Sequence, residues 1–309
     1  MRLFSVTGIA ERLGIKVNEF DNLLKKSREK NAKKILAVWN RGLGDIPLGL
    51  YALIERVKAF IPDGEITFLT RFDLIEAFTL LEGVRVIGVP WLERGKPIDL
   101  EETLKKLGIK KEAYDLILDR INPTKWFKWQ IGNTIPRLRW ESDNDNLWKR
   151  FSLDPSVSYI GVHINTETQQ FYGYRKDWPS EKWKKLFEII CREDLRVLLF
   201  GLKKDGFDSD NPFIIDLRGE TSLLEMLSII KNCCKGLIVP DGGVLSIVYY
   251  LDVNFPLTVI SLWSDPKQGV LKQAVPSPNP GLLHIPLIGK NKDITNISVE
   301  EVLKCLKFK

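Results

Sequence analysis

Short apolar runs alternate with amphipathic stretches along this chain, and the alternation starts twice. In the first half, KKILAVWN (33–40), EITFLT (65–70), VRVIGV (84–89) and YDLILDRI (114–121) are rich in Ile, Leu and Val. That is the composition of strands buried on both faces of a parallel sheet. Between them, PLGLYALIERVKAF places Leu50, Leu53, Ile54 and Val57 on one helical face, and RFDLIEAFTLLEG closes on a glycine stop. After residue 155 the pattern restarts with SYIGVHI (158–164), RVLLFG (196–201), FIIDLRG (213–219), GLIVPDGG (236–243) and LTVISLW (257–263). Its helices carry clear signals. WPSEKWKKLFEIICRE starts on Pro179 and Ser180 and aligns Trp183, Phe187 and Ile190, while TSLLEMLSIIKN has a capping box, Ser222 with Glu225, ahead of a Leu223, Leu227, Ile230 stripe.

Two successive strand–helix arrays predict two doubly wound, Rossmann-like α/β domains, with the functional site expected in a cleft between them. The first domain is placed at 33–155 and the second at 156–309, with the boundary near Pro155 in a segment dense in turn formers. Residues 1–32 read as a polar, helical extension. The 309-residue length and the 44% hydrophobic, 28% charged composition suit a soluble two-domain protein. No long apolar run appears, and the N-terminus lacks the pattern of a cleaved leader, so a cytoplasmic location is expected. Four cysteines without CxxC spacing read as reduced thiols, and Cys233-Cys234 as core packing. His163 and His284 sit beside apolar residues and read as core histidines. With only two histidines and no HxxxH spacing, no metal site is expected.

The net charge of +6 lies mostly before residue 155. It is compatible with phosphorylated substrates or an anionic membrane, but there is no basic stripe, zinc-finger spacing or RNA-binding aromatic motif, so no nucleic acid partner is expected. The stretch 124–150 interleaves Trp126, Trp129, Trp140 and Trp148 with Lys125, Lys128, Arg137, Arg139, Lys149 and Arg150. Two readings stay open for it: a surface for a phosphorylated lipid acceptor or membrane headgroups, and a tryptophan-rich packing segment with solvated charges.

Two loops carry candidate chemistry. NRGLGDIPLG (40–49) is a glycine-rich turn between a strand and a helix, but Asp45 stands where a dinucleotide's diphosphate would lie and Gly49 comes too late for GxGxxG. A nicotinamide cofactor is therefore disfavoured, and Asp45 is either a helix cap or a functional acid. In the second half, Pro240-Asp241-Gly242-Gly243 ends a buried strand and opens a helix, bringing glycine amides to the carboxyl edge of the sheet. The loop after the first strand of that half adds the hydroxyls of Thr166 and Thr168 and the cations Arg175 and Lys176, groups that suit a diphosphate.

GLGDIPLGLYAL, RKDWPSEKWKKLFEII, IIDLRGETSLLEMLSIIKN and IVPDGGVLSIVYYL, with the closing ITNISVEEVLKCLK, follow the order and spacing of glycosyltransferase family nine, the lipopolysaccharide heptosyltransferases. The chain resembles that family over roughly residues 33–308. The resemblance implies a GT-B architecture, an acceptor-binding first domain and a nucleotide-sugar-binding second one. It further implies inverting, metal-independent transfer of a heptose from an ADP-sugar to a lipopolysaccharide-core or related glycan, with no cofactor beyond the donor. A peripheral contact with the cytoplasmic face of the inner membrane is also expected.

In that family the acid of the GxGD loop takes the proton from the acceptor hydroxyl, which falls on Asp45, with Gly42 and Gly44 beside it. The lysine before Trp-Pro falls on Lys176, and the turn that cradles the diphosphate falls on Asp241, Gly242 and Gly243. The family's turn reads DTGxxH, whereas Gly242 and Ser246 stand here at the hydroxyl and histidine places. Two side-chain donors to the nucleotide are thus missing, while backbone amides remain. A GT-B protein that binds nucleotide but has lost transfer stays open as the alternative.

Overall fold

The computed structural model describes residues 18–166, 173–193, 195–204, 207–208 and 210–306. Contacts divide the chain into two compact units, residues 1–41 with 49–130, and residues 42–48 with 131–309.

The first unit is built on a parallel sheet of β1 (Lys34–Trp39), β2 (Glu65–Arg71), β3 (Val84–Val89) and β4 (Leu116–Leu118), in the order β3-β2-β1-β4. β1 and β2 are buried beyond their first residues, as their unbroken apolar runs require. YDLILDRI delivers only three paired residues. Leu36, Val38, Leu69, Val89 and Leu104 form one core cluster of this unit. The polar extension is helical where described. The helix Glu19–Glu29 is capped by Asn18, whose side chain accepts from the Phe20 N–H. Phe20 stacks on Trp126 at 4.8 Å, and Asn18 also donates to the Trp126 carbonyl. The described part of the extension, from Asn18 onward, is therefore part of the first unit's packing.

The second unit holds a two-residue parallel pair, β5 (Leu138–Arg139) with β10 (Leu251–Asp252). Its main sheet has six parallel strands: β6 (Tyr159–His163), β7 (Arg196–Phe200), β8 (Ile214–Asp216), β9 (Cys234–Pro240), β11 (Leu257–Trp263) and β12 (Leu282–Ile288). Their order is β12-β11-β9-β6-β7-β8. The chain runs outward from β6 through β7 to β8, then returns to the other side of β6 as β9, so strand order reverses between β6 and β9. In open α/β sheets such a reversal opens a crevice at the carboxyl ends of the strands. The helix Ser180–Ile190 buries Trp183, Leu186, Phe187 and Ile190 on its sheet side. Its N-terminal turn is clamped by the C-terminal segment, because Trp178 Nε1 and Lys182 Nζ both donate to the Ile297 carbonyl. The expected capping box of the helix Leu223–Cys233 is present in both directions.

Residues 131–155 pack with the second unit, whereas the turn-rich composition had put the division near Pro155. Arg137 pairs with Asp252 at 2.9 Å, Lys231 with Asp145 at 2.7 Å and Arg150 with Glu225 at 2.8 Å. The Trp148 N–H donates to Ser228 on the helix Leu223–Cys233. Turn formers mark where strand–helix alternation stops and carry no information about which core the segment then joins.

Candidate functional site

Three neighbouring strands of the second unit, β6, β9 and β11, deliver their following loops to one carboxyl edge. After β9 the chain places Asp241 and Gly242, and then the helix Gly243–Tyr249. After β6 it reaches Thr166, and after β11 Ser264 and Asp265. Lys176 pairs with Asp241 at 2.8 Å, and each side chain is only 9% exposed. Desolvation pushes the Asp241 carboxyl above the usual carboxylate range. The Lys176 ammonium opposes that shift, and the neighbouring Asp265 adds to it. Asp265 itself is held below the usual range, chiefly by the Lys267 N–H, with help from the Lys292 ammonium at 3.2 Å.

At Gly243 the turn leaves no room for a side chain. A Cβ on Gly243 would lie 2.7 Å from Leu43 Cβ and 3.1 Å from the Gly44 nitrogen. A Cβ on Gly44 would lie 3.3 Å from both Gly243 Cα and Ser246 Oγ. Residues 42–48, which group with the second unit, are thus seated on the Gly242-Gly243 turn. Within that loop the Asp45 N–H donates to the Gly42 carbonyl, and Asp45 stands half-buried at the start of a one-turn π-helix, Ile46–Leu50. Short π segments of this kind occur most often at functional positions. Gln273 Nε2 donates to the Leu48 carbonyl and ties down the far end of the loop.

Of the residues expected from sequence, Gly42, Gly44, Asp45, Thr166, Lys176, Asp241, Gly242, Gly243 and Ser246 all fall in this unit, and Thr168 lies outside the described residues. The Thr166 methyl borders Gly242, its N–H donates to Asp177, and its buried hydroxyl oxygen has no hydrogen-bond partner among the described residues. Ser246 is buried and donates to the Gly242 carbonyl. Its hydroxyl is engaged in shaping the turn. Arg175 enters through its backbone carbonyl, which accepts from Ser264 Oγ, and Ser264 Oγ in turn accepts from the Ile294 N–H.

Sequence reading missed Gly269 and Asp265. A Cβ on Gly269, at φ +50°, would lie 2.5 Å from Asp241 Oδ1, so only glycine lets the chain close over that carboxylate. The SDP tripeptide immediately after the apolar run LTVISLW was the available signal for Asp265, as the end of a third parallel strand.

Other expectations resolve around the site. Desolvation pushes both His163 and His284 down to about 4, and His284 is packed against Tyr249 with its Nε2 2.6 Å from Ser261 Oγ. Cys233 and Cys234 are buried free thiols, and desolvation raises both. In the tryptophan-rich stretch, Lys125, Arg137, Arg139 and Arg150 are each ion-paired within the protein. Trp126 and Trp140 are engaged by Phe20 and Asp145. These contacts give the stretch a packing role, and its paired cations stay more than half exposed. Among the described residues no group of three or more His, Cys, Asp or Glu is placed to hold a metal ion. No helix among them is long and apolar enough to cross a membrane.

Two α/β units on parallel sheets, the second with a glycine turn and a buried lysine at its strand-order reversal, have the fold of the GT-B class. The resemblance to one family of that class is borne out: residues 142–252 match the family described as glycosyltransferase family 9 (heptosyltransferase). A 99-residue stretch is 29% identical to lipooligosaccharide heptosyltransferase 2 of Haemophilus influenzae, covering 29% of this chain and 28% of that relative. The match thus spans under a third of the relative's length. Among solved structures, the ADP-heptose lipopolysaccharide heptosyltransferase II of E. coli aligns with a TM-score of 0.60 at 18% identity, over 88% of this chain and 97% of that one. A family 9 glycosyl transferase from Veillonella parvula aligns at 0.57 and 14% identity, over 88% and 95%. At such identities the structural likeness speaks for the fold.

Proposed function

We propose that this protein is an inverting glycosyltransferase that moves a sugar, heptose first among candidates, from a nucleoside-diphosphate sugar to a lipopolysaccharide-core or related glycan acceptor. The observation that carries the reading is the seating of the Asp45 loop on the Gly242-Gly243 turn, where Gly243 admits no side chain.

The chemistry follows from the residues. Lys176 and the glycine backbone suit the two phosphates of the donor, with the Thr166 hydroxyl beside the Gly242 turn as a further donor. The Asp45 carboxylate accepts the proton of the acceptor hydroxyl as its oxygen attacks the anomeric carbon. The bond to the diphosphate breaks on the opposite face, and the diphosphate leaves with the electron pair. Configuration inverts in that single displacement. The reading needs neither a metal nor a further cofactor, and it places the work at the cytoplasmic face of the inner membrane, where a lipid-linked acceptor would be met.

The test begins with a thermal-shift panel of nucleoside diphosphates and their sugars. A ligand at 100 times its dissociation constant stabilises by about 2.7 kcal/mol. ADP-heptose is expected to stabilise the protein and to be consumed with a deacylated lipopolysaccharide acceptor. No stabilisation by any nucleotide would overturn the donor site. Tight diphosphate binding with no transfer from any donor would instead favour a GT-B binding protein.

A further inference from the structure

We propose that the carboxyl edge of the first unit's sheet carries a saccharide-binding platform built on Trp91 and Phe72. The proposal rests on the glycosyl-transfer reading and deepens it: the acceptor is a sugar chain gripped by its ring faces. Phe72 directly follows β2 and is 63% exposed, and Trp91 follows β3 by one residue and is 47% exposed. Single exposed apolar residues are ordinary on a protein surface. Here two aromatic rings stand at the ends of adjacent parallel strands, the edge where α/β sheets bind their ligands.

Beside Trp91 lies a cavity of about 200 Å³, lined also by Glu93, Lys96, Glu102 and Lys106. Glu93 pairs with Lys96 and Glu102 with Lys106, both at 2.7 Å, and the Lys106 ammonium lies 5.9 Å from the Trp91 ring centre. Exposed pairs of this kind are weak and exchange readily. They offer carboxylates that accept from hydroxyls and ammoniums that donate to them. A sugar presents a face of C–H groups with a rim of hydroxyls, and an aromatic ring beside carboxylate–ammonium pairs matches both. A lipid surface would want cations without carboxylates, and here the carboxylates of Glu93, Asp99 and Glu102 outnumber the ammoniums of Lys96 and Lys106.

The platform is anchored. Asn40 Nδ2 donates to the Glu93 and Lys96 carbonyls at 2.9 and 2.8 Å, and the Gly95 N–H donates back to the Asn40 carbonyl. On the other side, Arg71 binds both oxygens of Asp73 and donates to the Arg41 carbonyl at 3.3 Å, fixing the backbone around Phe72. Asn40 and Arg41 immediately precede the Asp45 loop in the chain.

Saturation-transfer NMR on the full chain, with deacylated lipopolysaccharide oligosaccharide as probe, tests this. Saturation of sugar ring protons is expected in the unmodified protein. It should fall to background in Trp91→Ala and Phe72→Ala and return in Trp91→Phe, with ADP binding and melting temperature unchanged in all three. Equal saturation in Trp91→Ala and the unmodified protein, or none in the unmodified protein, would overturn the platform. So would Trp91-dependent sedimentation with anionic vesicles in place of saccharide binding. Failure of the transfer reading is separable: ADP binding or sugar transfer would be missing while the oligosaccharide signal persisted.

Discussion

Replacing Lys176 with alanine tests the second unit's carboxyl edge most sharply, because the lysine has two tasks that respond differently to pH. It is the counter-charge of Asp241 at 2.8 Å, with both side chains almost wholly buried. Removing one partner of a buried pair leaves an uncompensated charge and costs about 3–5 kcal/mol. In a unit of this size each kcal/mol lowers the melting temperature by about 2–4 °C, so a drop of about 6 to 20 °C is expected at pH 7. The Asp241 carboxyl is already raised by desolvation, and without the lysine it rises further.

An acid whose folded pKa lies above its unfolded value binds more protons in the folded state. Its destabilising effect is absent below the ordinary carboxylate pKa and develops as pH rises through the folded value. The deficit of Lys176→Ala must therefore be largest near neutrality and shrink toward pH 4. Differential scanning calorimetry across pH 4 to 8 reads this directly. Asp241→Asn in the same background removes the stranded charge and is expected to recover most of the loss. Separately, ADP affinity measured below the melting range should weaken by about 1.5–3 kcal/mol if the ammonium contacts phosphate. Equal melting temperatures at pH 7, or a deficit that grows on acidification, would refute the counter-charge argument.

Asp45→Asn should leave ADP affinity and melting temperature unchanged while lowering turnover by about two to four orders of magnitude; full activity in a transfer assay would remove Asp45 from the chemistry. Gly243→Ala forces its Cβ into Leu43 and is expected to cost about 1–3 kcal/mol, seen as a lower midpoint in urea, together with slower turnover. An unshifted midpoint would show that the loop is not seated there. The double change Arg137→Ala, Arg139→Ala removes two exposed ion pairs and should cost at most about 1 kcal/mol, with no change in sedimentation with acidic vesicles. Vesicle binding that falls with this change would instead support the membrane reading of the tryptophan-rich stretch.

Sequence alone marked the runs that become β1, β2, β9 and β11, because a strand buried on both faces must be predominantly apolar; it did not mark β12, whose half-exposed LLHIPLI lacks that burial. It also determined the Ser222–Glu225 capping box, since a cap is a contact between residues three apart. Asp45, Lys176 and the Gly242-Gly243 turn were legible as candidates through their positions at strand ends. Long-range packing decided the rest. That Asp241 neutralises Lys176, that Gly269 exists to clear Asp241 Oδ1, and that Leu43 and Gly44 rest on Gly243 are contacts between residues tens to hundreds of positions apart. No local periodicity encodes them. The tryptophan-rich stretch shows the same limit, because its alternation of rings and cations is identical whether it faces a membrane or, as here, pairs with Glu19, Asp252, Glu141 and Glu225. A charge pattern records what a segment can bind, and only the fold decides which partner stands close enough to be bound.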